Sequence, residues 1–305
     1  MKLIAPNYYP AFRCIADKCR HSCCIGWEID IDPDTREKYR HVPDEFGMRL
    51  NAAIADGEVS SFRLGPDERC PMLNATGLCD LIIALGEENL CQVCADHPRF
   101  RNYFADRTEI GLGLCCEEAA RLILSQEEPM ELITLEDDGE AADLPAEEAA
   151  LLALRAELIA LMQDETRPIE DRLDALLDAV GFAIPDRDWV EVYRGLERLD
   201  PAWDDMLDSI DPPDCTADPW ELSDRPFGRF TAYMLYRNLP GALDDDDIPG
   251  RVAFCVLSTR ILAALCAAHE GCTLADCIEF ARMYSAEIEY SEDNIAALLD
   301  ALWEE

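Results

Sequence analysis

The sequence predicts a mainly α protein in which an irregular, cysteine-rich, metal-binding N-terminal domain packs on an all-helical C-terminal domain. Three observations carry this expectation. Ten of the fifteen cysteines lie within the first 116 of 305 residues. From Glu147 onward apolar residues recur at three- and four-residue spacing, with no convincing strand alternation. Between these regions, residues 127–146 (EEPMELITLEDDGEAADLPA) are acidic and contain Pro and Gly. That composition marks a linker between a domain of residues 1–126 and one of residues 147–305.

In the N-terminal part, Pro71, Gly77, Gly86, Pro98 and Gly113 punctuate short helices set between cysteine clusters. Glu117 to Gln126 reads as a helix starting just after the Cys115/Cys116 pair, its glutamates in the first turn where the helix dipole favours negative charge. Beyond the linker, Leu151, Leu154, Leu158 and Leu161 share a helix face, as do Leu173, Leu176, Leu177 and Val180. Helices ending near Gly181 and Leu199 follow, then a proline-broken segment from Asp200 to Asp218. Phe227 to Leu239 forms a further helix stopped by Pro240 and Gly241. Thr273 can cap a helix with Leu274, Cys277, Ile278, Ala281 and Ile288 on one face. Ser291 can cap the last, with Ile295, Leu298, Leu299 and Leu302 apolar. The Asp244–Asp247 run reads as a solvated loop.

Charge narrows the classes of partner. Residues 1–125 carry 14 basic against 20 acidic side chains, and the remaining 180 carry 12 against 44. A net charge of −38 repels phosphate backbones, which argues against nucleic acid and for a basic protein partner or a cationic side-chain substrate. The start, MKLIAPNYYPAFRC, lacks the apolar run of a signal peptide. The longest apolar stretch, Val252 to Ala268, is interrupted by Arg260 and fits a buried helix better than a transmembrane segment. An odd number of cysteines without an export signal predicts a cytoplasmic protein with available thiols.

The N-terminal cysteines fall in four clusters. The first is Cys14, Cys19, Cys23 and Cys24; if helical, it puts Cys19 and Cys23 one turn apart on one face. Cys70 and Cys79 flank a loop closed by Gly77. Cys91 and Cys94 form the only C-x2-C knuckle, ahead of His97, and Cys115 and Cys116 stand at a helix start. Thiolates grouped this way suit a soft metal or an iron–sulfur cluster. Structural zinc usually shows two knuckles, so zinc, a cluster, or both stay open. His21 and His97 are secondary ligand candidates. Tyr8, Tyr9 and Trp27 flank the first cluster as shields, and Arg99 reads as structural. Cys215, Cys255, Cys266, Cys272 and Cys277 read as core packing. No P-loop, G-x-G-x-x-G or G-x-S-x-G occurs.

The stretches APNYYPAFRC, CCIGWEIDID, CPMLNATGLCDLIIALGEENLC, CADHPRF and GLCCEEAARLIL, with YSAEIEYSEDN at residues 284–294, resemble the flagellin lysine-N-methylase family. The resemblance matches Cys14, Cys19, Cys23, Cys24, Cys70, Cys79, Cys94 and Cys116 to the family's pattern, with Cys91 and Cys115 as extras. It implies methylation of lysine ε-amines by S-adenosylmethionine, assisted by a [4Fe–4S] cluster, with zinc as the alternative metal. The implied partner is a protein substrate with exposed lysines, flagellin among them. A lysine amine must lose a proton before it attacks, since its pKa is about 10.4. Glu287, Glu289, Tyr290 and Glu292 in the end motif are candidates to bind the ammonium and help remove that proton, with Tyr284 as an aromatic wall. The competing expectation is a non-catalytic zinc- or iron-binding interaction or redox-sensing protein.

Overall fold

A computed structural model of the chain describes residues 1–139, 142–210 and 223–304. Its strands are β1 (Lys2–Pro6), β2 (Asp30–Ile31), β3 (Ile54–Ala55), β4 (Ser60–Phe62), β5 (Arg99–Tyr103), β6 (Arg107–Leu112) and β7 (Leu132–Asp137). The early helices are α1 (Pro33–Arg40), α2 (Asp44–Ala52), α3 (Asp80–Leu85), α4 (Gln92–Asp96) and α5 (Glu117–Leu124). Next come α6 (Ala146–Met162), α7 (Ile169–Val180), α8 (Trp189–Arg194), α9 (Ala202–Ser209) and α10 (Arg225–Asn238). The last are α11 (Ala242–Asp245), α12 (Ile248–Ala268), α13 (Leu274–Tyr284) and α14 (Glu292–Trp303). Helix outweighs strand, 56% to 11%, as the spacing of apolar residues requires. Among the described residues, everything from α6 onward is helix or connection.

The chain forms two compact units: Arg13–Arg99, and residues 1–12 together with residues 100 onward. This partition differs from a cut at residues 127–146. Part of that stretch is β7, which pairs antiparallel with β1, Ala5 opposite Ile133. Acidic composition masked a short strand whose Ile133 and Leu135 turn toward the protein while its alternate residues face solvent.

In the Arg13–Arg99 unit, β2, β4 and β3 make a small antiparallel sheet, with Asp30 opposite Ser61 and Ile54 opposite Phe62. Asp32 ties two helix starts to it: one carboxylate oxygen accepts from the Thr35 amide at 2.9 Å and the other from the Gln92 amide at 2.9 Å. Ile31, Tyr39, Leu50, Ile54 and Phe62 are among the apolar side chains of its core.

The larger unit carries a sheet ordered β5-β6-β1-β7. Strand β1 runs parallel to β6, Lys2 opposite Arg107, a pairing across a hundred residues that local patterning does not announce. The helices pack around α12, which is long and apolar enough to cross a membrane and is the one such helix among the described residues. Most of it is buried inside this unit, and a helix apolar on all sides is what a core requires.

The capping expectations hold. Thr273 and Asp276 form a capping box at α13. Ser291 Oγ accepts from the Asn294 amide at 3.2 Å to start α14, and Gly181, at φ +65°, ends α7. The acidic run is solvated as expected, but only Asp246 and Asp247 are a connection. Asp244 and Asp245 belong to α11, while Asp247 accepts from the Gly250 amide at 2.8 Å and from Trp303 Nε1 at 2.8 Å. The proline-broken segment contains α9; its end, with Cys215, lies outside the described residues.

Candidate functional site

Five thiols from three of the four cysteine clusters gather in the Arg13–Arg99 unit. Cys70 and Cys91 belong to the core, and Cys24, Cys79 and Cys94 pack against it. The Cys70 amide donates to the Cys24 carbonyl at 2.8 Å, joining the first two segments. The Cys70–Cys79 loop is set by Asn74, whose side-chain oxygen accepts from the amides of Thr76 at 2.9 Å and Leu78 at 3.1 Å. Cys79 precedes α3 and Cys91 precedes α4, so each sulfur stands at a helix start.

Their electrostatics divide. The Cys23 thiol donates to Cys24, and with help from Ser22 and Arg69 this outweighs burial and brings the Cys24 pKa down to about 7. Cys91 and Cys94 share a hydrogen bond that lowers the pKa of Cys91 and raises that of Cys94. Burial pushes Cys70 up to about 11, and Cys79 is raised for the same reason. Tyr39 closes this group: its hydroxyl donates to the Asn89 carbonyl at 2.8 Å, and burial followed by Cys91 and Cys94 raises its pKa.

The other predicted ligands are placed differently. The first cluster is not a helix: a single 3-10 turn covers Ala16–Lys18, and Cys19 lies past its end, so no helical turn aligns Cys19 with Cys23. Cys14 Sγ accepts from the Ala16 amide at 3.4 Å, and Cys19 Sγ donates to the His21 carbonyl at 3.2 Å. His97 is held neutral, its pKa lowered to about 4 by burial and Arg99. Cys115 and Cys116 belong to the other unit, where Cys116 precedes α5 as the sequence predicts.

The end motif is buried from Tyr284 to Glu289, whereas Glu292 is exposed in the first turn of α14. α13 passes into a π-helical turn, Ser285–Glu289, a local irregularity common at functional sites. Glu287 accepts from the amides of Leu199 at 2.8 Å and Asp200 at 2.7 Å, fixing the approach to α9. Burial raises its pKa against those two donors. Glu289 accepts from Tyr233 Oη at 3.0 Å and Asn238 Nδ2 at 3.3 Å and pairs with Arg237 Nε at 3.4 Å. The Arg237 guanidinium lies 4.7 Å from the centre of the Tyr290 ring and 5.0 Å from that of Phe100. The Tyr290 hydroxyl hydrogen-bonds the Cys115 thiol, whose pKa burial pushes up to about 12. Tyr284 is not a wall of this cluster; it sits in the helical core, donating to Ser258 Oγ at 2.6 Å.

Arg237 is therefore the residue that sequence reasoning missed. Burial works against its charge, but Tyr233, Glu289 and Tyr290 outweigh burial and hold its pKa well above the ordinary value. Gly113 makes room for the cluster, since a Cβ there would lie 2.2 Å from Tyr290 Oη and 3.0 Å from Arg237 Nη1. An arginine followed by Asn at the end of an otherwise aromatic helical run (TAYMLYRN) was the available signal.

The chain is 28% identical over 137 residues to proteins named lysine-N-methylase from Salmonella typhimurium and Salmonella choleraesuis, covering 42% of this chain and 33% of each relative. It is equally similar to a Salmonella muenchen protein named flagellar biosynthetic protein FliU, 79% of which is covered. The chain thus matches about a third of the length of the two methylases. No family model matches, and no solved structure matches. These similarities support a relationship to the lysine-N-methylases.

The cysteines fit an implied soft metal in donor type: five thiols in one small core, one of them inclined to the thiolate. They are hydrogen-bonded and packed as thiols. Among the described residues, no three His, Cys, Asp or Glu side chains are drawn into a group that could hold a metal ion.

Proposed function

We propose that this chain is an S-adenosylmethionine-dependent protein-lysine N-methyltransferase whose Arg13–Arg99 unit binds a [4Fe–4S] cluster, with zinc the alternative metal. The observation that carries the reading is the gathering of Cys24, Cys70, Cys79, Cys91 and Cys94 in a chain similar to lysine-N-methylases. Cys24, Cys70, Cys79 and Cys94 are the first candidates to hold the metal, with Cys91 as hydrogen-bond partner of Cys94. Cys14, Cys19 and Cys23 lie in the same unit and can complete the set, whereas Cys116 serves the other unit. A bound cluster or zinc ion would supply order to the loops that carry its thiolates.

Bound S-adenosylmethionine would supply the methyl group, and a lysine amine must shed its proton before it can accept it. Glu289 and Tyr290 already contact Arg237 and Cys115, so we assign them to position that cluster, and Glu287 to hold the Leu199–Asp200 backbone. The substrate is a protein with exposed lysines, flagellin the first to try, and the compartment is the cytoplasm.

The alternative, a metal-binding interaction or redox-sensing protein, gains from one fact. An internal guanidinium occupies the space between Glu289 and Tyr290 that a substrate ammonium would need. The deciding experiment purifies the full chain without oxygen, measures iron, zinc and absorption, then titrates S-adenosylmethionine by calorimetry. Donor binding that disappears in Cys94→Ala, with methyl transfer to a lysine-bearing protein, is the expected result. Stoichiometric zinc with no donor affinity would overturn the enzyme.

A further inference from the structure

A second set of thiols lies far along the chain, in the helical unit. Cys266 is in the last turn of α12, Cys272 in the connection, and Cys277 in the first turns of α13. The Cys266 thiol hydrogen-bonds those of both Cys277 and Cys272, so three sulfurs meet where two helices join. The connection is tightly made. The His269 amide donates to the Cys266 carbonyl at 3.3 Å, and the Cys272 amide donates to the His269 carbonyl at 3.0 Å. Gly271 takes a left-handed φ of +71°, and the Thr273–Asp276 capping box fixes the start of α13.

Exposure separates the three. Cys266 and Cys277 are buried, at 3% and 0% accessibility, while Cys272 is partly open to solvent. A buried pair of apolar thiols is ordinary packing. A solvent-reachable thiol in contact with a buried one is the arrangement in which an oxidised sulfur can be resolved from within.

We propose that Cys272, Cys266 and Cys277 form a thiol-oxidation site, with Cys272 meeting the oxidant and Cys266 closing an intramolecular disulfide. With a peroxide, the Cys272 thiolate displaces hydroxide from the O–O bond and becomes a sulfenic acid. The Cys266 thiol, whose pKa its hydrogen bond to Cys277 and burial raise, then attacks that sulfur as its proton passes to the departing hydroxide, so an S–S bond forms and water leaves. Two thiols are oxidised and one peroxide is reduced to two waters. With a small-molecule disulfide the same product forms by two exchanges, releasing two thiols. Burial raises the Cys272 pKa against the Cys266 hydrogen bond, so proximity, more than thiolate abundance, drives the reaction. Cys277 touches Cys266 and can exchange with the bond once it has formed.

Trypsin isolates the site. Residues 261–282, between Arg260 and Arg282, hold these three cysteines and no others. The reduced full chain is treated with hydrogen peroxide, alkylated with N-ethylmaleimide and digested. The expected peptide is lighter by two hydrogens and carries one maleimide instead of three, and a thiol reductant restores all three sites. Cleavage after Glu270 should leave its two fragments joined, which places Cys266 in the bond. Cys272→Ser should abolish the bond, whereas Cys277→Ser should keep it. Circular dichroism melting confirms that both variants fold. Three maleimides at peroxide doses that fully oxidise glutathione would overturn the proposal. So would a bond that survives in Cys272→Ser, or zinc that copurifies with this peptide's thiols and blocks their alkylation.

Discussion

The two units differ in the polar chemistry they bury. In the Arg13–Arg99 unit it is mostly sulfur: five thiols share a small core with apolar side chains, beside one buried guanidinium, Arg36. In the larger unit ion pairs enclosed on both sides join the buried thiols Cys115, Cys255, Cys266 and Cys277. Arg155 donates to both oxygens of Glu109 at 2.7 Å with both side chains almost wholly buried, and Arg237 pairs with Glu289 under two aromatic rings. A large core of packed helices can enclose an ion pair because it supplies every hydrogen bond the charges lose from water. The smaller core of the Arg13–Arg99 unit turns its one buried guanidinium, Arg36, outward to the exposed Asp56 at 2.8 Å. It buries groups that are apolar when protonated and become ligands when deprotonated, which suits a unit completed by a metal.

The comparison breaks most visibly on metal removal. If a metal completes the thiol unit, chelation should remove folding free energy on the order of 10 kcal/mol from that unit alone. Limited proteolysis would then cut at Arg49, Arg63 and Arg69 while residues from 100 onward stay resistant. Simultaneous loss of both units would contradict independent completion. Next is Glu109→Gln, which leaves Arg155 charged and buried and should cost about 3–5 kcal/mol in urea denaturation of the larger unit. Cleavage within residues 13–99 should not change in that variant.

Gly113→Ala is a smaller disturbance. Its Cβ presses on Tyr290 and Arg237, an overpacking expected to cost about 1–3 kcal/mol. A near-neutral change would show that Tyr290 can withdraw without loss.

The smallest effect is a pH profile in the metal-free protein. The folded pKa of Cys24, about 7, lies below the ordinary thiol value. Its contribution to stability is therefore complete above the unfolded pKa and fades as pH falls through about 7. Iodoacetamide alkylation of Cys24 should rise with a midpoint near that pH, while Cys70, near 11, stays slow throughout. Equal rates for the two would sink the division of thiols drawn above.

Legibility in the sequence followed contact range. The helices α5, α6, α7, α10, α13 and α14 were readable because their signals, apolar spacing and caps such as Thr273 and Ser291, lie within a few residues of one another. Strand β1 was not, since its register depends on residues 107–109 and 132–137. Likewise the cysteine clusters announced shared chemistry but not their partition. Cys115 and Cys116 follow Cys94 closely in sequence, yet fold with the other unit. The end motif was recognisable as special, but spacing alone could not show that Glu287 and Glu289 are buried. Their partners, the Leu199 and Asp200 amides and Arg237, come from elements 50 to 90 residues away.

The π-helical turn at Ser285–Glu289 acts as a phase shifter. Each of its turns consumes an extra residue, so side chains after it are rotated from where an unbroken continuation of α13 would carry them. Tightening it to an α-helical turn with every residue kept would let α13 run on unbroken. Every later position would then turn by about 100°, the angle of one residue in 3.6 per turn. Glu289 and Tyr290 would leave the face that meets Arg237 while their identities stayed unchanged. The site is thus specified by the width of the turn between Tyr284 and Tyr290 as much as by which residues stand there.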